Sequence, residues 1–165
     1  MQTIYRLEWF VGLILLQVLV FNHIHLGEYA TPFVYIYYLL ALEADTSRVK
    51  LLLWGFTLGM CVDIFGNTPG MNASAATMLA LARTPLLRSQ TMRDSSDNFV
   101  PSIRAMGVTP FLRYTLSCAF VHSLTLQLID AFSLFRLVPL LQRTVGDTLL
   151  TVLCMFCLDF IRRKR

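Results

Sequence analysis

Charge is scarce in this chain, and its absences fall in a regular pattern. Only 15% of the 165 residues are charged, against 56% apolar, and the mean hydropathy is +0.60. An ordinary soluble domain of this size needs far more charged surface, so the composition argues against that class. A Gly-rich phosphate loop, a catalytic triad and a zinc-helix motif are all missing. No nucleophile and base stand at a usable spacing either, so we expect no enzyme chemistry and no cofactor or metal. Internal repeats and low-complexity tracts are absent. The four cysteines, Cys61, Cys118, Cys154 and Cys157, all lie inside apolar runs. The Cys154-x-x-Cys157 spacing therefore reads as two small apolar residues, not as a redox pair.

What charge there is alternates. Of the fourteen Lys and Arg residues, none falls in Asn22–Thr31 and none in Gly66–Asn72. Asp130–Leu137 has only Arg136. By contrast, Glu43–Lys50 carries Arg48 and Lys50, Arg83–Arg113 carries five, and the chain closes on Arg162, Arg163, Lys164 and Arg165. This is the positive-inside pattern of a polytopic membrane protein. The net charge of +4 caps apolar spans and forms no basic stripe with aromatics, so nucleic acid is not an expected partner.

A spanning helix needs about 20 apolar residues. Six segments stand out: Tyr5–Leu26, Thr31–Leu42, Lys50–Gly66, Asn72–Leu87, Pro110–Ala131 and Val138–Ile161. The first follows Arg6 with no small-residue cleavage site after it, so it reads as a retained helix. The second is short. Six crossings place both termini in the cytoplasm; a re-entrant second segment would move the N-terminus outside. The favoured architecture is one all-α membrane domain over residues 1–165, a six-transmembrane-helix bundle. Its one long polar loop covers about 89–109 and contains Asp94, Ser95, Ser96, Asp97 and Asn98.

The third segment carries the sharpest pattern. Gly55, Gly59 and Asp63 are spaced by four and share one helix stripe. Two such glycines allow close approach of another helix. Asp63 on that stripe faces protein. It either meets a partner within the membrane or caps the next loop at the helix end. Gly66-Asn67-Thr68-Pro69-Gly70 then makes a tight turn, and Asn72 is a candidate N-cap. Ala73, Ala76 and Ala80 form a small face suited to the glycine stripe. In the sixth segment Arg143 and Asp147 can pair along one face, or Arg143 can snorkel outward and the deeper Asp147 pair with another helix. Asn22, His122, Gln127 and, nearer mid-depth, Gln17 place further polar groups in the outer half. They suit an outward polar pocket, a docking site, or scattered interhelical hydrogen bonds. His23-x-His25 reads as an interfacial turn. Tyr5, Trp9, Tyr29, Tyr35, Tyr37 and Tyr38 read mostly as interfacial aromatic anchors.

The run Gly55-Phe56-x-x-Gly59-x-x-x-Asp63, followed by Gly66, Gly70 and Asn72 before an Ala-rich helix, resembles the rod shape-determining protein MreD family. Length, six segments, a basic tail and Thr31-Pro32 at the start of the second segment fit as well. Phe33 stands where that family often has an acidic or amide residue. The resemblance implies a non-enzymatic scaffold of the bacterial elongation machinery in the inner membrane. It implies a bitopic MreC-like partner and, through it, the MreB filament and the wall synthases. It also implies helix-packing or partner-binding roles for Gly55, Gly59, Asp63, Gly66, Gly70 and Asn72. Such proteins resemble the substrate-binding subunits of energy-coupling-factor transporters, which frames the alternative of a small-molecule-binding subunit.

Overall fold

The computed structural model describes residues 2–22, 31–91, 99–131 and 137–163. Among them every regular element is helical and no strand occurs. Helix α1 spans Gln2–Leu16 and runs into a π-helical turn at Gln17–Phe21. A 3-10 turn, Val34–Ile36, leads into the one-turn helix α2, Tyr37–Leu40. Then follow α3 (Arg48–Gly66), α4 (Met71–Gln90), the short α5 (Ile103–Met106), α6 (Val108–Ala131) and α7 (Leu137–Arg163). The elements α3, α4, α6 and α7 pack in chain order, each against the next, and α1 lies against α3. Two stretches, Arg48–Gly66 and Val138–Arg162, are long and apolar enough to cross a membrane.

Helix boundaries follow the local chemistry. Asn67 ends α3 in the left-handed conformation, with φ of 53°, and its N–H is satisfied by the Asp63 carbonyl. Gly70, at φ of 81°, precedes α4, which corrects the expectation that Asn72 is the N-cap. Asn72 is already inside the first turn. Pro110 and Pro139 lie near the starts of α6 and α7, where the missing N–H costs no helical bond.

The second segment is corrected most. It is not a long helix. Residues 31–33 belong to no regular element, and the whole of 33–40 is buried. Its path is tied to α7 at three levels. The Thr31 N–H meets Asp147, the Phe33 N–H meets the Thr151 hydroxyl, and the Tyr37 hydroxyl meets Asp159. Asp147 and Asp159 are separated by about 18 Å of helix rise. The segment thus descends alongside α7 over that depth in a handful of residues. An irregular backbone survives in such a place only when protein encloses it and satisfies its polar groups. Enclosure also corrects the reading of Tyr35, Tyr37 and Tyr38 as interfacial anchors: all three are buried in the core. The Tyr38 ring meets Phe10 of α1 edge-on and Trp54 of α3 at a tilt, at ring separations of 5.3 Å for both.

Large apolar side chains face outward on several helices, and several polar groups lie inside. Leu53, Ile64 and Phe65 on α3 are more than 60% exposed, as is Leu153 on α7. Arg83, His122, Gln17, Asp63, Asp147 and Asp159 are buried. The loop expected over 89–109 is partly structured. Ser102 caps α5 by accepting the Ala105 N–H, and the loop returns to the bundle where the Phe99 carbonyl accepts the Ala44 N–H at 2.9 Å. The expectations on His23-x-His25, Tyr29, Asp94–Asp97, Arg136, Lys164 and Arg165 fall outside the described residues.

Candidate functional site: a buried polar network

The glycine stripe of α3 meets the small face of α4. A Cβ on Gly59 would lie 2.5 Å from the Ala73 Cα and 2.6 Å from its nitrogen, and would also run into the Asn72 carbonyl. A Cβ on Gly55 would meet the Ala76 carbonyl oxygen at 2.8 Å and the Ala80 Cβ at 3.1 Å. Both glycines are therefore used in packing α3 against α4 within the chain, the helix-packing alternative of the two roles expected for them. Gly66 and Gly70 do not belong to this contact. Gly70 has open space around its Cα and serves the turn through its positive φ. At Gly66 a Cβ would approach only the side chains of Thr68 and Asn22.

Asp63 closes the hairpin. One carboxylate oxygen accepts the Thr68 hydroxyl at 2.9 Å and both the N–H and the side-chain amide of Asn72 at 3.0 Å. The other accepts the Ala73 N–H at 2.9 Å. A carboxylate at the first turn of α4 satisfies orphan donors and sits at the positive end of the helix dipole. Of the two sequence readings, the helix-end cap is the one the structure displays.

The network continues inward. The Asn72 amide nitrogen is engaged by Asp63 and Thr68, so its oxygen is the acceptor for the Tyr35 hydroxyl at 3.1 Å. Tyr35 has one proton to give. Its oxygen therefore accepts from His122 Nε2, 2.7 Å away, which fixes the Nε2–H tautomer. The His122 Nδ1 is left buried without a hydrogen-bond partner. The Phe33 ring lies against the imidazole at 5.1 Å.

A second group supports the irregular segment. Gln17, fully buried at the π-turn, donates to the Pro32 carbonyl and to the Asn22 side chain, both at 3.1 Å, and accepts the Val34 N–H at 2.8 Å. Asp147 accepts the Thr31 N–H and the Gln127 amide, each at 2.7 Å. Of the alternatives for Arg143 and Asp147, the structure displays the second: Arg143 is exposed, and Asp147 takes its hydrogen-bond partners from α6 and the irregular segment.

Two important residues were missed by sequence reading. Buried Arg83 donates to the Leu42 carbonyl at 2.6 Å and to the Glu43 carbonyl at 3.3 Å, holding the lower end of the irregular segment. Asp159 accepts the Tyr37 hydroxyl at 3.0 Å and the Ile103 N–H at 3.1 Å. Helical phase carries a signal for both. Arg83 continues the Ala76–Ala80–Leu87 stripe, and Asp159 continues the Thr144–Thr148–Thr151–Met155 stripe.

Outside the network, a groove of about 470 Å³ opens between α4, α6 and α7. Leu86, Leu116, Phe120, Val145 and Leu149 line it, with Ser117 and Thr148 as its polar members. Both hydroxyls are bound to carbonyls of their own helices. Among the described residues, no group of three or more His, Cys, Asp or Glu side chains could hold a metal ion. Comparison with family models, with curated proteins and with solved structures finds no match to this chain.

Proposed function

We propose that this chain is a multi-pass scaffold of the bacterial inner membrane, of the MreD type, acting in cell-shape control and lateral peptidoglycan synthesis. It crosses the bilayer six times, the second time by the enclosed irregular segment, with both termini cytoplasmic. Its partner is a bitopic, MreC-like protein whose single helix seats in the groove between α4, α6 and α7. Through that partner it connects to the MreB filament and the wall synthases. The observation that supports this reading is the contrast between interior and surface. Asp63, Asn72, Tyr35, Gln127 and Asp147 are engaged with one another and with backbone, leaving His122 Nδ1 and the Ser123 hydroxyl as the buried exceptions, whereas an apolar groove is left open on the outside. Without a hydrophobic driving force inside lipid, such a concave surface favours a partner helix through close packing.

The alternative, a small-molecule-binding subunit of an energy-coupling-factor type transporter, needs outer polar groups directed at a ligand. Here Asp63, Asn72, Gln127 and Asp147 are committed to intramolecular bonds.

The test is copurification from native membrane. Leu116→Trp with Leu149→Trp should fill the groove and abolish recovery of a single-helix partner with an extracytoplasmic coiled coil. Leu53→Trp, on the exposed face of α3, should not. Depletion should round rod-shaped cells while vitamin uptake continues. Nutrient starvation with intact shape would overturn the scaffold reading in favour of the transporter.

A further inference from the structure

Two arginines from different helices line one pocket at the end of the α3–α4 hairpin opposite Asp63. Arg48 opens α3 and Arg88 lies in the last turn of α4. The pocket between them holds about 300 Å³. Leu52 and Leu81 supply apolar wall, Thr84 supplies a hydroxyl, and no acidic residue lines it. Pro85 lines it as well. Having no N–H, it deprives the Leu81 carbonyl of its ordinary helical donor. Exposed apolar side chains lie beside it, Val49 at 67% and Leu81 at 54% exposure, together with the exposed Lys50.

The pocket thus combines a cationic rim, an apolar wall and a carbonyl short of a donor. A soluble anion has no use for the wall. A zwitterionic head group would bring its own cation against two guanidiniums. We propose that this pocket binds the head group of an anionic phospholipid of the cytoplasmic leaflet. Arg48 and Arg88 hold the phosphate through charge-assisted hydrogen bonds. The first acyl methylenes run along Leu52 and Leu81, and a head-group hydroxyl reaches the Leu81 carbonyl. Phosphatidylglycerol has all three features. Basic pockets between helices on the cytoplasmic side select anionic lipid in this way. The proposal rests on the membrane reading and its orientation, and is independent of the role in cell shape.

The experiment is native mass spectrometry of the full chain, delipidated in detergent and titrated with phosphatidylglycerol or phosphatidylcholine. The wild type should take its first phosphatidylglycerol at least about tenfold more tightly than phosphatidylcholine. Arg48→Gln with Arg88→Gln should erase that preference, whereas Arg143→Gln, in the other half of the molecule, should leave it intact. Arg88→Gln alone, the milder variant, should reduce it and provides the reading if the double variant misfolds. Excess glycerol 3-phosphate should not displace the lipid; displacement would assign the pocket to a soluble phosphate and overturn the proposal. So would a wild type that does not discriminate, or an arginine variant that still does. Protein that stays monodisperse in water without detergent would overturn the membrane reading itself, a different failure from loss of preference in detergent.

Discussion

Asp63 holds Asn72 twice, by its backbone N–H and by its side-chain amide, both at 3.0 Å. This contact joins the last turn of α3 to the first turn of α4 and fixes which atom of Asn72 faces Tyr35. Asp63→Asn should break it. The new amide would present hydrogens to at least one donor, the Asn72 or the Ala73 N–H, that now finds an acceptor. Losing charge-assisted acceptance in a buried site should cost about 1.5–3 kcal/mol. Reversible unfolding in mixed micelles would measure the loss, and wild-type stability would show that the carboxylate is dispensable to the hairpin.

Gly59→Ala should be more damaging than Gly55→Ala. At both positions the added Cβ meets α4 backbone, which cannot swing aside, but the approach is closer at Gly59, 2.5 Å to the Ala73 Cα against 2.8 Å to the Ala76 carbonyl oxygen at Gly55. Overpacking of this kind costs typically about 1–3 kcal/mol. Gly70→Ala has space but must hold a positive φ, so its cost is strain alone, about 1 kcal/mol. Thermal stability in detergent should rank the three with Gly59→Ala lowest. Equal melting of the Gly55 and Gly59 variants would contradict the close approach.

Asp147→Ala and Arg143→Ala should separate widely. Removing Asp147 strands the Thr31 N–H and the Gln127 amide in the interior. Removing exposed Arg143 strands nothing and should change stability by no more than about 0.5 kcal/mol. A large effect of Arg143→Ala that Asp147→Asn relieves would restore the charge pair that sequence spacing suggests.

Gln17→Ala should loosen the irregular segment without unfolding the bundle. The Val34 N–H and the Pro32 carbonyl both depend on this one side chain. Amide hydrogen exchange at Val34 should accelerate, while Leu58 and Ala76 in the α3–α4 hairpin keep their protection. Unchanged exchange at Val34 would mean that burial alone holds the segment.

Much was legible before any fold was known, because some signals are local. The helix ends of α3 and α4 fall within a few residues of the expected segments, and so do those of α6 and α7, since apolar runs and turn residues mark them. The Gly55–Gly59–Asp63 stripe and the Ala73–Ala76–Ala80 face meet as their spacing of three and four requires. Arg143 and Asp147 show where spacing misleads. Helical periodicity places two side chains within reach of one another, but Gln127 and Thr31 compete for the same carboxylate from elsewhere in the chain.

The sequence by itself determined an all-helical chain with scarce, alternating charge and a glycine stripe on one face of α3. Those features depend on residues within a turn or two of each other. Only the tertiary structure decided that the stripe is closed by α4, that Asn72 lies inside its helix, and that residues 31–42 form an enclosed thread. That thread has no periodicity of its own. Backbone donors and acceptors that its two short helical turns leave over are met by Gln17, Arg83, Asp147 and Thr151, up to 118 residues distant. A polar side chain in a hydrophobic run announces that it needs a partner, but only the packing of the other helices supplies one.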